Sequence, residues 1–385
     1  MYQFDAFSNI IWTPILFSIF LILSLKIGNY FKIGYKFSLA LYLWHTLFCV
    51  IYIWFALSFG ADSNKYFYNA LNFDNRDFNF GTSFIIYLTY FLYEFLGFSY
   101  VDQFLIHGFI GYIGFLAFVS SVNQATLYKN KNIRLLGWII VFLPSVSFWT
   151  TALGKDAISF MALGLALWSA LDFKNRKALL FFAIFSMFMV RPHIGAALAI
   201  AFAFSIIFDK KTSLYIKVFF GTISLTITAF ILPIMINYIG LSEADGLSDV
   251  DSYIDKRQNS NLSGGSSLDI ASMSFPMQIL SYLFRPLPFE AHTFFALIAS
   301  LDNVVLVYLL VLGIIAYLKK HKPSIDSNRI FLWVYFFICL GMLATTTANL
   351  GIAMRQKWMF LPCLIFLLLS VIGSKNLEAS KGLKK

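Results

Sequence analysis

Four cationic stations interrupt an otherwise apolar chain, each beside a hydrophobic run. Lys155 and Asp156 close Thr151-Ala152-Leu153-Gly154-Lys155-Asp156, and Arg191 stands in Val190-Arg191-Pro192-His193. Arg285 opens Arg285-Pro286-Leu287-Pro288-Phe289-Glu290-Ala291-His292, while Arg355 and Lys357 flank Gln356. A guanidinium offers planar paired donors that match phosphate oxygens, and it stays charged in a low-dielectric rim where a lysine can lose its proton. Arg191, Arg285 and Arg355, helped by Lys155 and Lys357, therefore suit an anion cradle of the kind a lipid pyrophosphate requires. Acid–base groups lie next to them. Imidazole is the side chain suited to proton transfer near neutrality, which makes His193 and His292 candidates, and Glu290 or Asp156 could accept a proton if partly desolvated. A cation at a helix end also snorkels to lipid head groups, so each position carries that second reading. Pro192 and the Pro286/Pro288 pair fix φ and hold their neighbours in place, which serves a site more than it serves a lipid anchor.

The elements that carry these residues must be membrane helices. With 59% hydrophobic residues, 45 Phe and a mean hydropathy of +0.75, the 385-residue chain has too little polar surface to cover a water-soluble core. Apolar runs at 7–27, 37–60, 100–122, 133–149, 157–173, 178–190, 195–208, 214–241, 304–318, 330–348 and 358–373 predict an all-α polytopic bundle of about 11 spans. The connections divide by charge. One set holds twenty of the 29 basic residues, from Lys26, Lys32 and Lys36 to Lys384 and Lys385, against four acidic ones. Cytoplasmic loops carry such an excess, so the N-terminus is expected outside and the C-terminus in the cytoplasm. The net charge of +10 then reports topology and not a nucleic-acid footprint.

Residues 1–374 read as a single polytopic membrane domain with outer loops at 61–99 and 242–303, followed by a basic cytoplasmic tail at 375–385. The first nine residues lack a basic stretch and the first span exceeds a signal-peptide core, so that span is expected to stay in the membrane. Residues 83–97 form an aromatic stretch suited to the interface, and 242–275 is acidic and then Gly/Ser-rich, the composition of a flexible lid. Cys49, Cys339 and Cys363 lie inside spans and predict neither a disulfide nor a zinc site. The Asp249-Val250-Asp251 triplet reads as part of a solvated acidic loop. His45 and His107 are expected to satisfy internal hydrogen bonds, whereas Asp102 suits either a structural or a functional role.

A family resemblance rests on further residues. Gly60-Ala61-Asp62-Ser63-Asn64-Lys65-Tyr66, with Asp62 and Tyr66 four apart after the second span, is similar to the first exterior loop of the EpsG-like and Wzy-type polysaccharide repeat-unit polymerases. Glu94-Phe95-Leu96-Gly97-Phe98, Arg191-Pro192-His193 and Arg355 also look like positions in that group. The chain departs from the pattern where Gly154-Lys155-Asp156 stands in place of an Arg-Gln pair.

The resemblance implies an enzyme of the bacterial inner membrane that transfers an undecaprenyl-pyrophosphate-linked oligosaccharide onto another lipid-linked repeat unit on the extracytoplasmic face, for O-antigen, capsule or exopolysaccharide. It implies no metal and no cofactor, because pyrophosphate leaves readily once its charge is stabilised, and it implies the pathway's flippase and chain-length regulator as partners. Arg191, Arg285 and Arg355 would stabilise that charge with Lys155, Asp156, His292, Lys357 and Tyr66 binding substrate, and Glu290, His193 or Asp62 would take the acceptor proton. The same Asp62 and Tyr66 spacing resembles GT-C glycosyltransferases, which use polyprenyl-phosphate sugars with an Asp as base. A glycolipid flippase or other transporter is the non-enzyme alternative, and it would place ionisable pairs and broken helices at midplane.

Overall fold

Inside a bilayer each backbone N–H and C=O must find its partner within the protein, which leaves a chain of this composition little choice but helix. The computed structural model describes residues 6–73, 78–209, 213–215, 217–219, 221–222, 226, 268, 270 and 272–373. Among them helices and short 3-10 turns are the regular elements, with no strand. The acidic triplet at 249–251, most of the expected span at 214–241, most of the 242–275 segment and the basic tail lie outside the described residues.

Six helices are long and apolar enough to cross a membrane: Ile11–Tyr30, Tyr35–Phe59, Tyr100–Thr126, Lys131–Thr150, Phe294–Leu318 and Arg329–Thr346. A seventh crossing results if Leu350–Met359 and Leu361–Val371, inclined at 62°, count as one broken span. The chain is thus a multi-pass membrane protein. Three of the eleven expected runs form helices of 16, 18 and 17 residues, at Lys155–Ala170, Phe173–Val190 and Pro192–Phe208. At 1.5 Å per residue these reach about 24–27 Å, short of a hydrocarbon core of about 30 Å.

The chain divides into two compact units, residues 1–124 with 141–192, and residues 125–140 with 193–385. The first contains α1 (Ala6–Tyr30), α2 (Tyr35–Phe59), α3 (Asp62–Leu71), α4 (Thr82–Glu94), α5 (Tyr100–Thr126), α7 (Pro144–Thr150), α8 (Lys155–Ala170) and α9 (Phe173–Val190). Its axis is α5, whose apolar window is 83% buried. A Cβ on Gly164 of α8 would run into the backbone of Gly114 in α5, so the two helices cross with their main chains in contact, a device common between membrane helices. Every residue of α8 from Ala157 to Ala170 is buried. The expected loop at 61–82 contains the helix α3, and the aromatic stretch that follows is α4, packed on α3 as a hairpin.

Several polar groups within this unit are satisfied by hydrogen bonds between neighbouring helices. Tyr112 donates to Ser38 O at 2.8 Å, and the Ser38 hydroxyl donates to Ser24 O at 2.6 Å. Asp102 is a capping group: its carboxylate accepts from Thr13 Oγ1 at 2.6 Å, from the Ser99 amide at 2.9 Å and from the Ser99 hydroxyl at 2.7 Å. Two of these donors belong to Ser99 at the start of α5, which gives the carboxylate a structural role there. His107 Nδ1 lies 2.9 Å from Gln103 O, as expected, whereas among the described residues the expected hydrogen bond of His45 is not made: both its ring nitrogens are buried without a partner and the ring stacks on Phe115 with centroids 5.4 Å apart.

The second unit contains α6 (Lys131–Val141), α10 (Pro192–Phe208), α11 (Phe275–Phe284), α12 (Phe294–Leu318), α13 (Arg329–Thr346), α14 (Leu350–Gln356) and α15 (Leu361–Val371). All of α15 is buried, and it packs against α12 and α13. Its C-terminal carbonyls are satisfied by cations, the sign a helix C-terminus favours. Lys129 Nζ donates to Ser370 O at 2.7 Å and to Ile372 O at 2.6 Å, and Arg329 Nη1 donates to the Ser370 hydroxyl at 2.6 Å. Burial, aided by the charge of Arg329, pushes the Lys129 ammonium down to about 8.

One expected boundary is corrected. The span at 304–318 begins ten residues earlier, at Phe294, so Asp302 and Asn303 lie inside the helix and not in the loop before it. Apolar residues on both sides of the pair extend the helix through it, and both side chains are buried.

Candidate functional site

In the first unit the candidates gather at one end of α8 and α9. Arg191 caps α9 immediately before Pro192, and its amide donates to Met187 O at 2.8 Å. The residue is 8% exposed, and Nη2 donates to Asp156 Oδ1 at 2.6 Å. Asp156 sits in the first turn of α8, where the positive end of the helix dipole favours a carboxylate. The pair is long-range and monodentate, and Arg191 Nε is buried without a hydrogen-bond partner. A buried guanidinium N–H left in that state costs free energy that an incoming acceptor oxygen would recover.

Lys155 precedes Asp156 in the same helical turn, and the loop before it closes on Tyr66. Gly154 holds φ +148, and a Cβ there would lie 2.8 Å from Tyr66 Cε2, so only glycine allows the ring this close. Asp62 lies one turn before Tyr66, in the first turn of α3. The α3/α4 hairpin is moored to the same end of α9: the Gly81 amide donates to Met189 O at 2.8 Å, and Phe80 packs edge-on against Phe188 at 5.0 Å. Asp62, Tyr66, Lys155, Asp156 and Arg191 thus belong to one region.

The opposite end of α8 holds a different kind of cation. Arg176 donates from Nη1 to Trp168 O at 2.7 Å and lies over the Trp168 ring at 3.5 Å, where stacking and a carbonyl occupy it. Asp156 and Trp168, twelve residues apart on one helix, are separated by roughly 18 Å along its axis.

In the second unit a polar chain runs from the interior to a partly exposed turn. Lys357, 1% exposed, donates to Asn303 Oδ1, and Asn303 Nδ2 donates to Pro286 O at 2.9 Å. Pro286 follows Arg285, the cap of α11, whose Nη2 and Nε contact Glu290 Oε1 at 2.7 Å and Oε2 at 3.1 Å. Asp302, 2% exposed, is the carboxylate acting on the Lys357 charge. Partial burial raises the Glu290 carboxyl, but the Arg285 hydrogen bond, the Leu287 amide at 2.8 Å and the Arg285 charge outweigh it and hold it below the usual carboxylate range. A carboxylate so held is a weaker base, which counts against Glu290 as the proton acceptor.

This unit also carries the remaining candidates. His193 is the second residue of α10, His292 is exposed in the turn before α12, and Arg355 is half-buried in the last turn of α14. Two residues on a helical path point about 200° apart, so Arg355, at the end of α14, and Lys357, in the 3-10 turn that follows, point to opposite sides. Among the described residues no three His, Cys, Asp or Glu side chains come together to hold a metal ion.

The apolar run that predicts a span at 304–318 leaves Asp302 and Asn303 in the connection before it. The signal was present: an Asp-Asn pair with apolar residues for two turns on either side is a polar group forced into a span, and such groups are costly enough to warrant a search for their partner. No family model, curated protein or solved structure matches this chain, so its function must be argued from these two clusters.

Proposed function

We propose that this chain is a membrane glycosyltransferase that polymerises undecaprenyl-pyrophosphate-linked repeat units on the extracytoplasmic face of the bacterial inner membrane. The observation that carries the reading is Arg191: a nearly buried guanidinium at a helix end, committed to Asp156 through one nitrogen, with Nε unsatisfied. In this proposal the bundle has about eleven spans, with its N-terminus outside, and the Arg191 end of the first unit faces outward. Charge sorting supports that orientation, because Lys174, Arg176 and Lys177 cluster at the opposite end of α9.

The reaction breaks the bond between the anomeric carbon and pyrophosphate oxygen, with the electron pair leaving on the diphosphate. The acceptor hydroxyl oxygen bonds to that carbon and gives up its proton. Arg191, with Lys155, the sequence neighbour of its partner Asp156, takes the developing phosphate charge. Asp62 and His193 are the proton acceptors retained, since Glu290 is held ionised by Arg285. Arg285 and Arg355 carry over as cations to be tested by the same assay. The flippase and chain-length regulator of the pathway are the proposed partners.

The test is an Arg191→Gln variant expressed in cells that assemble a lipid-linked glycan through this chain, with the glycan resolved as a ladder. Polymer should fall by about 10²-fold or more while single-repeat lipid intermediates persist. An unchanged ladder, with the variant present in the membrane at wild-type level, overturns the proposal.

One observation favours a second reading, transport of the glycolipid. The 62° break between Leu350–Met359 and Leu361–Val371 lies beside the buried Lys357, Asn303 and Asp302, and broken helices with internal charges are a transporter arrangement. Flip of a fluorescent lipid-linked sugar by the purified protein in vesicles, lost in Lys357→Met, would select it over polymerisation.

A further inference from the structure

A groove between α3 and α4, about 330 Å³ in volume, lies outside the Arg191 cluster yet in the same unit. We infer that this groove binds one pyranose unit of the glycan, which deepens the glycan-transfer reading above and rests on it for the identity of the chain the sugar belongs to.

Four rings form its apolar walls: Tyr68, Phe73, Phe78 and Tyr87. They are braced against one another and against α4. Phe73 stacks on Tyr90 with centroids 4.6 Å apart, and Phe78 meets Tyr87 edge-on at 5.7 Å. Tyr68, Phe78 and Tyr87 are 59%, 53% and 43% exposed, so their faces are open to a ligand. An aromatic face carries negative potential and attracts the polarised C–H edge that a pyranose presents on one side. The same groove is lined by Asn69, Asn72 and Ser83, which bring amide and hydroxyl groups to the other requirement of a sugar, its ring of hydroxyls. Asn72 already donates to Tyr68 O at 2.9 Å, which fixes its amide with the carbonyl oxygen left to accept.

The chemistry of the lining separates this occupant from two others. A phosphate would call for the cations found at Arg191, and none of the described lining residues is charged. An acyl chain would leave two asparagines and a serine facing hydrocarbon, at a desolvation cost a sugar avoids. The volume is at the lower end for small-molecule sites and so fits a single ring with its substituents more readily than an extended chain.

Position connects the groove to the reaction. Tyr66 and Tyr68 are two residues apart on α3 and so point to nearly opposite sides of it. One faces Gly154 and the Asp156–Arg191 region, the other the groove. A single helix of diameter about 10–12 Å thus stands between them, a span that a short glycan bridges.

The experiment uses the full chain in nanodiscs of phosphatidylethanolamine and phosphatidylglycerol, which carry no sugar. Saturation-transfer NMR is run with maltotriose, cellotriose, chitotriose and mannotriose. At least one trisaccharide should receive saturation, with affinity reduced about tenfold or more by Tyr68→Ala and by Tyr87→Ala, retained by Tyr68→Phe, and unaltered by Arg191→Gln. No transfer to any of the four, or transfer that both alanine variants leave intact, overturns the inference. The two readings fail separately. Ring-dependent sugar binding by a protein that makes no polymer leaves the groove and removes the polymerase, whereas an Arg191-dependent ladder that Tyr68→Ala and Tyr87→Ala do not alter, without sugar binding, does the reverse.

Discussion

Arg191 and Arg285 look alike in sequence and differ in structure. Each caps a helix and is followed by proline, and each pairs with a carboxylate. Arg191 reaches a partner 35 residues away through one nitrogen, with the two side chains 9% and 12% exposed. Arg285 grips Glu290, five residues on, through two nitrogens, with the two side chains 25% and 23% exposed. A local, two-pronged pair consumes the guanidinium fork and locks a turn. A long-range, one-pronged pair in a dry environment keeps a donor in reserve. Identical residue types in similar local sequence therefore have different capacities to bind a ligand, and burial together with the distance to the partner decides which.

Breaking the buried pair should have the largest consequence. Arg191→Met leaves the Asp156 charge without its cation and should cost about 3–5 kcal/mol, whereas Arg191→Met with Asp156→Leu should recover most of it. Thermal unfolding of the four members of this cycle in nanodiscs measures the coupling, and additive single effects would erase the distinction between the two arginines. Next comes the interior of the second unit. Lys357→Met removes the cation whose charge Asp302 acts on and should cost about 2–4 kcal/mol, and adding Asp302→Leu should restore part of it. Equal instability of the single and double variants would show that Asn303, not Asp302, is the partner that matters.

A smaller effect is expected at the turn before α8. Gly154→Ala must place a side chain at φ +148 and against the Tyr66 ring, at a cost of about 1–3 kcal/mol. Tyr66→Ala in that background should recover only the part due to the ring, because the backbone strain remains. The smallest effect belongs to the exposed pair. Glu290→Gln should lower stability by about 0.5–1 kcal/mol, discounted by solvent and salt. Because Arg285 lowers the Glu290 carboxyl in the fold, its contribution is complete above the ordinary glutamate range and disappears as pH falls through the folded value. A Glu290→Gln variant whose stability differs from wild type equally at pH 7 and at pH 3 would contradict that assignment.

Much of the architecture was legible in the residues. Strongly apolar runs at 37–60, 100–122 and 330–348 reappear as the helices Tyr35–Phe59, Tyr100–Thr126 and Arg329–Thr346, because a long run of apolar side chains has only one way to satisfy its backbone in lipid. Boundaries were less legible where polarity entered a span. Hydropathy puts the Asp302-Asn303 pair at the end of a loop, since it counts a buried, partnered carboxylate the same as a solvated one. The 61–82 segment has the composition of a loop for a related reason: α3 has little apolar surface of its own and is held by packing on α4.

The candidate cations were visible from residue type and from their places beside apolar runs. What each one does was not. Lys357 and Arg355 differ by two positions, yet one is buried on Asn303 and the other half-buried on the opposite side of its helix.

The solvent, the helical class and the helix ends that bear charge followed from composition and order along the chain, because hydrophobic burial and backbone satisfaction act on runs of residues. The pairing of Arg191 with Asp156, the meeting of Lys357 with Asn303 and the bend at Phe360 were decided only when helices packed. Partner choice depends on which faces touch across tens of residues, and a one-dimensional pattern carries no record of that.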